Sequence, residues 1–262
     1  MASPRTLSID IGGTGLKCSV LDEAGEMLHD KVWRPSPTEG SPQEMIADIK
    51  EMTRELPAFD RISAGFSGAV RGGRIITAPH FAEPSWPGYD LAQGLADAFG
   101  KPARVLNDAE VQGFGVISGK GLEFVLTLGT GAGTALFRDG QLAPHMEFAH
   151  HPVHGKKTYN EYVGRDALGK VGKKRWNKRV RKVIGILDAL VHYDRLYIGG
   201  GNGEKVHEPL PDNVTLVSNT AGITGGIALW RDGTASRGGR RRPLAPPPQR
   251  PDGKMSEAPA AQ

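Results

Sequence analysis

The chain has 262 residues, 38% hydrophobic and 24% charged, with one cysteine and a formal net charge of +4. The lone Cys18 excludes an internal disulfide and any multi-cysteine metal centre, and no apolar run reaches the roughly 18 residues of a membrane-spanning helix. Seven Lys/Arg against three Asp/Glu follow Trp230, so the body of the chain is neutral by count. The tail, residues 231–262, is rich in Pro, Gly and Arg and poor in large apolar side chains. It cannot bury enough surface to offset its ordering entropy and reads as disordered. Its arginines allow a contact with nucleic acid or another polyanion, against the plainer reading of a solvated appendage. With no apolar leader in "MASPRTLSID" and no disulfide, the expected setting is the cytoplasm.

The opening stretch "LSIDIGGTGLKCSVLDEAG", residues 7–25, reads as strand, glycine turn, strand. Glycines there make sense if a ligand or another backbone approaches closely. Residues 41–56, "SPQEMIADIKEMTREL", begin with Ser-Pro and carry apolar residues near helical period. A short strand and glycine turn follow in "RISAGFSGAV". Next come a helix ended by Gly100 in "DLAQGLADAFG" and a strand in "ARVLND". Strands alternating with helices predict an α/β fold.

Residues 123–142, "EFVLTLGTGAGTALFRDGQL", repeat the opening in form, which predicts two related domains facing one another. Apolar residues at Trp176, Val180, Val183, Ile184, Leu187, Leu190 and Val191 predict an amphipathic helix. Its other face carries Lys174, Arg175, Lys178, Arg179, Arg181 and Lys182. "DRLYIGGGNG" reads as a strand ending in glycines, and "NTAGITGGIALW", residues 219–230, as a final helix. The expected organisation is an N-terminal α/β domain over 1–108, a C-terminal one over 109–230 and the tail over 231–262. The final helix is expected to pack back on the first domain.

Three glycine turns follow strands: 12–15, 129–133 and 199–203. Backbone N–H groups in such turns form anion-binding concavities. Neither the P-loop nor the dinucleotide fingerprint is present, since Thr134 stands where G-x-G-x-x-G requires glycine. Asp10, directly before the first turn, needs a divalent cation to sit beside phosphate, and Mg2+ held through water fits that need. Lys17 is placed to neutralise phosphate oxygens. In "VLNDAE", Asp108 can accept a proton from an attacking hydroxyl, while Asn107-Asp108 reads as readily as a helix cap. "EFAH", Glu147 to His150, suits either a polar small molecule's hydroxyls or, with further ligands, zinc.

In order, "DIGGTGLK", "LNDAE", "TLGTGAGTALF", "MEFAHH" and "LYIGGGNG" resemble the ROK sugar kinases, and within them the polyphosphate glucokinase branch. The resemblance spans residues 7–230. It implies an actin-like (ribonuclease H-like) two-domain fold with a central cleft, usually as a homodimer. The implied reaction is phosphoryl transfer to the 6-hydroxyl of glucose from polyphosphate, ATP or both, with Mg2+. It puts Asp108 on the catalytic base, and Asn107, Glu147, His150 and Glu161 on sugar ligands, with Ser67 and Gly68 beside them. Asp10, Gly12, Gly13, Thr14, Gly15, Lys17, Gly129, Thr130 and Gly131 fall on phosphate motifs, and Gly199, Gly200, Gly201 and Asn202 on the donor side.

Several residues depart from the family pattern. "HHPVHGKKTYNEYVG" lacks the cysteines of the family's zinc motif, so no structural zinc is expected. Gly15 stands where a lysine is common, with Lys17 instead, as in the polyphosphate branch. Ser67 and His80 replace the usual proline and asparagine, which leaves another hexose, such as mannose or an N-acetylhexosamine, as an alternative. A catalytically silent sugar or polyanion sensor is the alternative from a different class. The basic helix face offers a track for polyphosphate, whose charge density invites counterion release.

Overall fold

The computed structural model describes residues 3–207 and 209–231; all but the first residue of the tail to which the sequence assigned disorder and polyanion contacts lies outside them. The chain builds two five-stranded mixed sheets with the same internal order. In the first half, β1 (Thr6–Ile11), β2 (Gly15–Leu21) and β3 (Val32–Pro35) form an antiparallel meander. Helix α1 (Pro42–Met52) leads to β4 (Arg61–Phe66), which pairs parallel with β1. A small hairpin of β5 (Val70–Arg71) and β6 (Arg74–Ile75) precedes α2 (Leu91–Phe99) and β7 (Ala103–Asn107), the far parallel strand. α1 starts on a capping box made by Ser41 and Glu44, and ends at Met52, short of the predicted residue 56. α2 runs from the Asp90 cap to Gly100 in the left-handed region, as its sequence pattern requires.

Helix α3 (Asp108–Phe114) follows β7 without a break. The second half then repeats the plan. β8 (Leu122–Leu128), β9 (Ala132–Arg138) and β10 (Gln141–Leu142) form the meander. A hairpin of β11 (Pro152–His154) and β12 (Lys157–Thr158) and the short α4 (Tyr159–Val163) lead into α5 (Arg165–Val191). The parallel strands β13 (Arg195–Gly199) and β14 (Val214–Leu216) complete the sheet beside β8. α5 begins at Arg165, not Trp176, and breaks at Gly172, whose φ of 73° interrupts the helix into 165–171 and 173–191. Trp176, Val180, Val183, Ile184 and Leu187 are buried as the periodicity predicts, but Leu190 is 60% exposed. Val191, the last residue of the helix, still packs on the core, so Leu190 alone leaves the predicted apolar face.

Each sheet has its own apolar core, one around Ile9, Ile49, Phe66 and Trp86, the other around Leu126, Trp176, Val183 and Ile198. The 219–230 segment is not one helix. It forms α6 (Ala221–Thr224) and a 3-10 turn, Gly225–Trp230. It lies against the first sheet: Ser8 Oγ donates to Ile223 O at 2.7 Å, Ser63 Oγ to Gly226 O at 2.7 Å, and Trp230 Nε1 to Ser63 Oγ at 2.9 Å. A side chain at Gly226 would overlap Ser8 Oγ, so the glycine permits this close approach. No helix among the described residues is long and apolar enough to cross a membrane.

Candidate active site

A cleft of about 300 Å³ lies where the two halves meet, within the range of small-molecule sites. Its floor is built from strand ends. Gly12, Gly13 and Thr14 connect β1 to β2, and Gly129, Thr130 and Gly131 connect β8 to β9. The two turns meet: Thr14 Oγ1 and Thr130 Oγ1 are 2.9 Å apart across the cleft. The N–H groups of Gly13, Thr14, Thr130 and Gly131 donate to no protein acceptor among the described residues, which leaves them to an anionic ligand. A Cβ at Gly13 would sit 2.6 Å from His80 Cγ, so the glycine is needed by the opposing wall of the cleft.

Asp10 and Lys17 are cross-strand partners on β1 and β2, with Lys17 Nζ 2.7 Å from Asp10 Oδ2. The lysine is therefore committed to the carboxylate. Among the described residues no three His, Cys, Asp or Glu gather into a metal cage. Mg2+ does not need one, because it commonly takes one or two carboxylates, waters and substrate phosphates. The donor set fits: Asp10 and Asp108 face one cleft, and Asp10 raises the proton affinity of Asp108.

Asp108 is the first residue of α3, capped by Asn107, and its Oδ1 accepts from the Ala109 N–H at 2.8 Å. Burial, and then the Asp10 charge, push its carboxyl up to about 7. The cap reading of Asn107-Asp108 holds in the structure. Asn107 Oδ1 caps the helix through Ala109 N–H at 2.9 Å, and its Nδ2 donates to Gly68 O at 3.0 Å. That bond ties the start of α3 to the loop carrying Ser67 and Gly68, which also line the cleft.

Glu147 and His150 line the same cavity from the second half, facing His80. Burial raises the Glu147 proton affinity, but hydrogen bonds from His145 and the Ala149 N–H outweigh it and hold the carboxyl below its ordinary value. His145 Nδ1 lies 2.9 Å from Glu110 Oε1 and its Nε2 3.5 Å from Glu147 Oε2. These two carboxylates push the imidazole up to about 9, Glu110 first. Glu110 Oε2 in turn accepts from the Asn107 N–H at 3.1 Å. A chain of hydrogen bonds runs from Glu147 through His145 and Glu110 to the cap of the helix that bears Asp108. Burial holds His80 below the usual imidazole range, with His150 adding to it.

Three residues named from sequence do not face the cleft. Glu161 Oε2 accepts from the Thr158 N–H at 2.9 Å and completes the capping box of α4 at the surface. Gly199 packs against the buried Gln112, whose Nε2 has no partner among the described residues. Asn202 is buried and donates from Nδ2 to Gly129 O at 3.0 Å, supporting the second turn from behind. Gly200 and Gly201 do line the cleft, Gly200 at φ 80° with Leu128 O 2.6 Å from where a Cβ would stand. Sequence reading missed Trp33, 56% exposed at the cleft, and Arg165, whose Nη1 donates to Thr14 Oγ1 at 2.9 Å. Neither belongs to a motif.

Residues 6–156 match the ROK family. A polyphosphate glucokinase of Mycobacterium tuberculosis is 30% identical over 238 residues, covering 83% of this chain and 88% of the relative. The crystal structure of an inorganic polyphosphate/ATP-glucomannokinase from Arthrobacter sp. strain KM superposes with a TM-score of 0.77 at 26% identity, over 87% of this chain and 100% of that one. A ROK family glucokinase from Streptomyces griseus, solved with glucose and AMPPNP, shares the fold at a TM-score of 0.71 and 17% identity, over 86% of this chain and 98% of that one. The fold is therefore the actin-like α/β fold with a central cleft. With more than half of its length matched by the family pattern and most of its length aligned to a relative at 30% identity, the chain belongs to the ROK family.

Proposed function

We propose that the protein is a sugar kinase that transfers a phosphoryl group from polyphosphate or ATP to the 6-hydroxyl of glucose, with Asp108 as general base. The observation that carries this reading is Asp108 itself. A carboxyl pushed up to about 7 stands between two glycine turns with unclaimed N–H groups and the Glu147–His150 wall. A base with that proton affinity is matched to neutral pH. Asp108 orients the sugar hydroxyl and takes its proton as the oxygen attacks phosphorus, and the bond from phosphorus to the donor's bridging oxygen breaks. Asn107, Glu147 and His150 hold the sugar's other hydroxyls, and the turns hold the donor phosphates. Asp10, through water, is the residue that would hold Mg2+, which supplies neutralisation of donor charge.

A coupled assay with glucose and Mg2+, run separately with polyphosphate and with ATP, tests the reaction. Asp108→Asn is expected to lower kcat by about 10²–10⁴-fold while glucose binding survives. Near-normal turnover in that variant sinks the assignment. A second acceptor, mannose, is favoured by the likeness to a glucomannokinase and by His80 and Ser67 at the cleft wall.

Polyphosphate as donor is supported by the exposed face of α5. Lys170, Lys173, Lys174, Arg175, Lys178 and Arg181 are exposed, and none is paired with a carboxylate among the described residues. Reversing Lys174, Lys178 and Arg181 to Glu is expected to raise the KM for long-chain polyphosphate and flatten its salt dependence. The KM for ATP should change little. Equal changes for both donors would remove the helix face from the donor site.

A further inference from the structure

Among the described residues two Lys or Arg side chains line the cleft, Lys17 and Arg165. Lys17 is neutralised by Asp10 at 2.7 Å. Arg165 forms no ion pair among the described residues. Its N–H donates to Gly129 O at 3.1 Å and to Thr130 O at 3.2 Å, which anchors it to the second glycine turn. Its guanidinium reaches across the cleft to Thr14 Oγ1 at 2.9 Å, on the first turn. That same hydroxyl touches Thr130 Oγ1 at 2.9 Å. Thus one side chain from the second half and two hydroxyls form a knot where the two turns meet. The knot uses one of the five guanidinium N–H donors. The charge extends along the cleft wall, where it contributes, after burial and His150, to keeping His80 below its ordinary value.

We propose that Arg165 is a donor-phosphate ligand that also latches the two halves. Without donor it bonds Thr14; with donor its planar fork takes phosphate oxygens, two at a time, and draws both turns onto the same group. The inference rests on the kinase reading above. It follows from charge: beside the Mg2+ that Asp10 would hold, Arg165 is the one unpaired Lys or Arg of the cleft among the described residues, since Lys17 is paired with Asp10. It also follows from shape, because guanidinium pairs with phosphate bidentately and ammonium does not.

The test compares wild type with Arg165→Met and Arg165→Lys. The readouts are KM for glucose, KM for ATP and for polyphosphate, and calorimetric binding of inorganic tripolyphosphate with Mg2+ and no sugar. Loss of a charge-assisted contact is expected to weaken donor KM and tripolyphosphate binding by about ten- to a hundredfold in Arg165→Met. Arg165→Lys should recover part of the loss, and glucose KM should stay within about twofold. Tripolyphosphate affinity unchanged in a folded Arg165→Met protein overturns the proposal, as does a glucose KM that moves as far as the donor KM. If Arg165→Met does not fold, Arg165→Lys decides alone, since its charge is kept and its fork is lost. A wild-type protein that transfers no phosphate from either donor refutes the kinase reading, a different result from a normal wild type with an indifferent Arg165.

Discussion

His145 should couple stability to pH in a window that can be stated in advance. Its two nitrogens face two carboxylates, Glu110 at 2.9 Å and Glu147 at 3.5 Å. Ionised carboxylates only accept, so both contacts are satisfied at once only by the doubly protonated imidazolium. The pair raises the imidazole from 6.5 to about 9, and His145 is only 18% exposed. At about 1.4 kcal/mol per pH unit this corresponds to about 3 kcal/mol as an upper bound. Because the folded value is the higher one, the stabilisation is fully present below pH 6.5 and is lost as pH rises through about 9. Replacing His145 with Gln keeps a hydrogen-bonding side chain but removes the titration. Urea unfolding of both proteins at pH 6 and pH 9.5 isolates the effect from other titrating groups. Wild type should lose up to about 3 kcal/mol more than the variant across that interval. Parallel losses in the two proteins would refute the imidazolium bridge. Since Glu147 is half of the bridge and is read as a sugar ligand, glucose KM should also rise in the variant.

Three other outcomes are expected. On the proposed mechanism the kcat/KM profile for the sugar should fall on the acid side at a pH above the ordinary carboxylate range, because burial holds the Asp108 carboxyl up and the free carboxylate is the form that would take the proton. A plateau extending to pH 5 would assign the base elsewhere. Gly226→Ala should cost about 1–3 kcal/mol in urea unfolding, since its Cβ overlaps Ser8 Oγ under the C-terminal segment. Gly133→Ala places a methyl 2.6 Å from Thr127 Oγ1 and 3.7 Å from Asp108 Oδ1. It should depress kcat more than tenfold, and adding Thr127→Ala should recover part of any stability lost.

What the sequence disclosed was local. Asp10 with its glycines, Asn107-Asp108 and Glu147–His150 each sit in one short run at a strand end or loop, where spacing alone sets the geometry, and all of these line the cleft. The α/β alternation and the repeated strand–glycine–strand unit reappear as two sheets of equal order. What stayed hidden depended on distant partners. Arg165 gains its place from a hydroxyl 151 positions away, and His145 from a carboxylate 35 positions away; no periodicity encodes either. Glu161 is the instructive failure, because its signal was present. Thr158-Tyr-Asn-Glu161 has the spacing of a capping box, and the backbone N–H claims the carboxylate. The start of α5 was missed because Gly172 breaks the helix before the long periodic run begins at Trp176, leaving Ala167, Leu168 and Val171 to reach the core from a piece of only about two turns.

The two halves repeat one topology but divide the chemistry. Asp10 occupies the penultimate position of β1 and Thr127 the penultimate position of β8. Their cross-strand partners are Lys17 and Gly133. One half therefore presents an ion pair beside its glycine turn, and the other a hydroxyl and an empty position. The difference has a spatial cause. Ala109 Cβ is 3.2 Å and Asp108 Oδ1 3.7 Å from where a Cβ on residue 133 would stand, so a long side chain there would enter the space of the Asp108 carboxyl. A second acid at position 127 would add another negative charge to a cleft that already raises Asp108 to about 7 and would press it further toward the protonated form. Thr127 and Gly133 keep the second turn neutral and open. The repeat supplies two facing sets of backbone N–H groups, and its asymmetry leaves room for a single raised carboxyl, Asp108, between them.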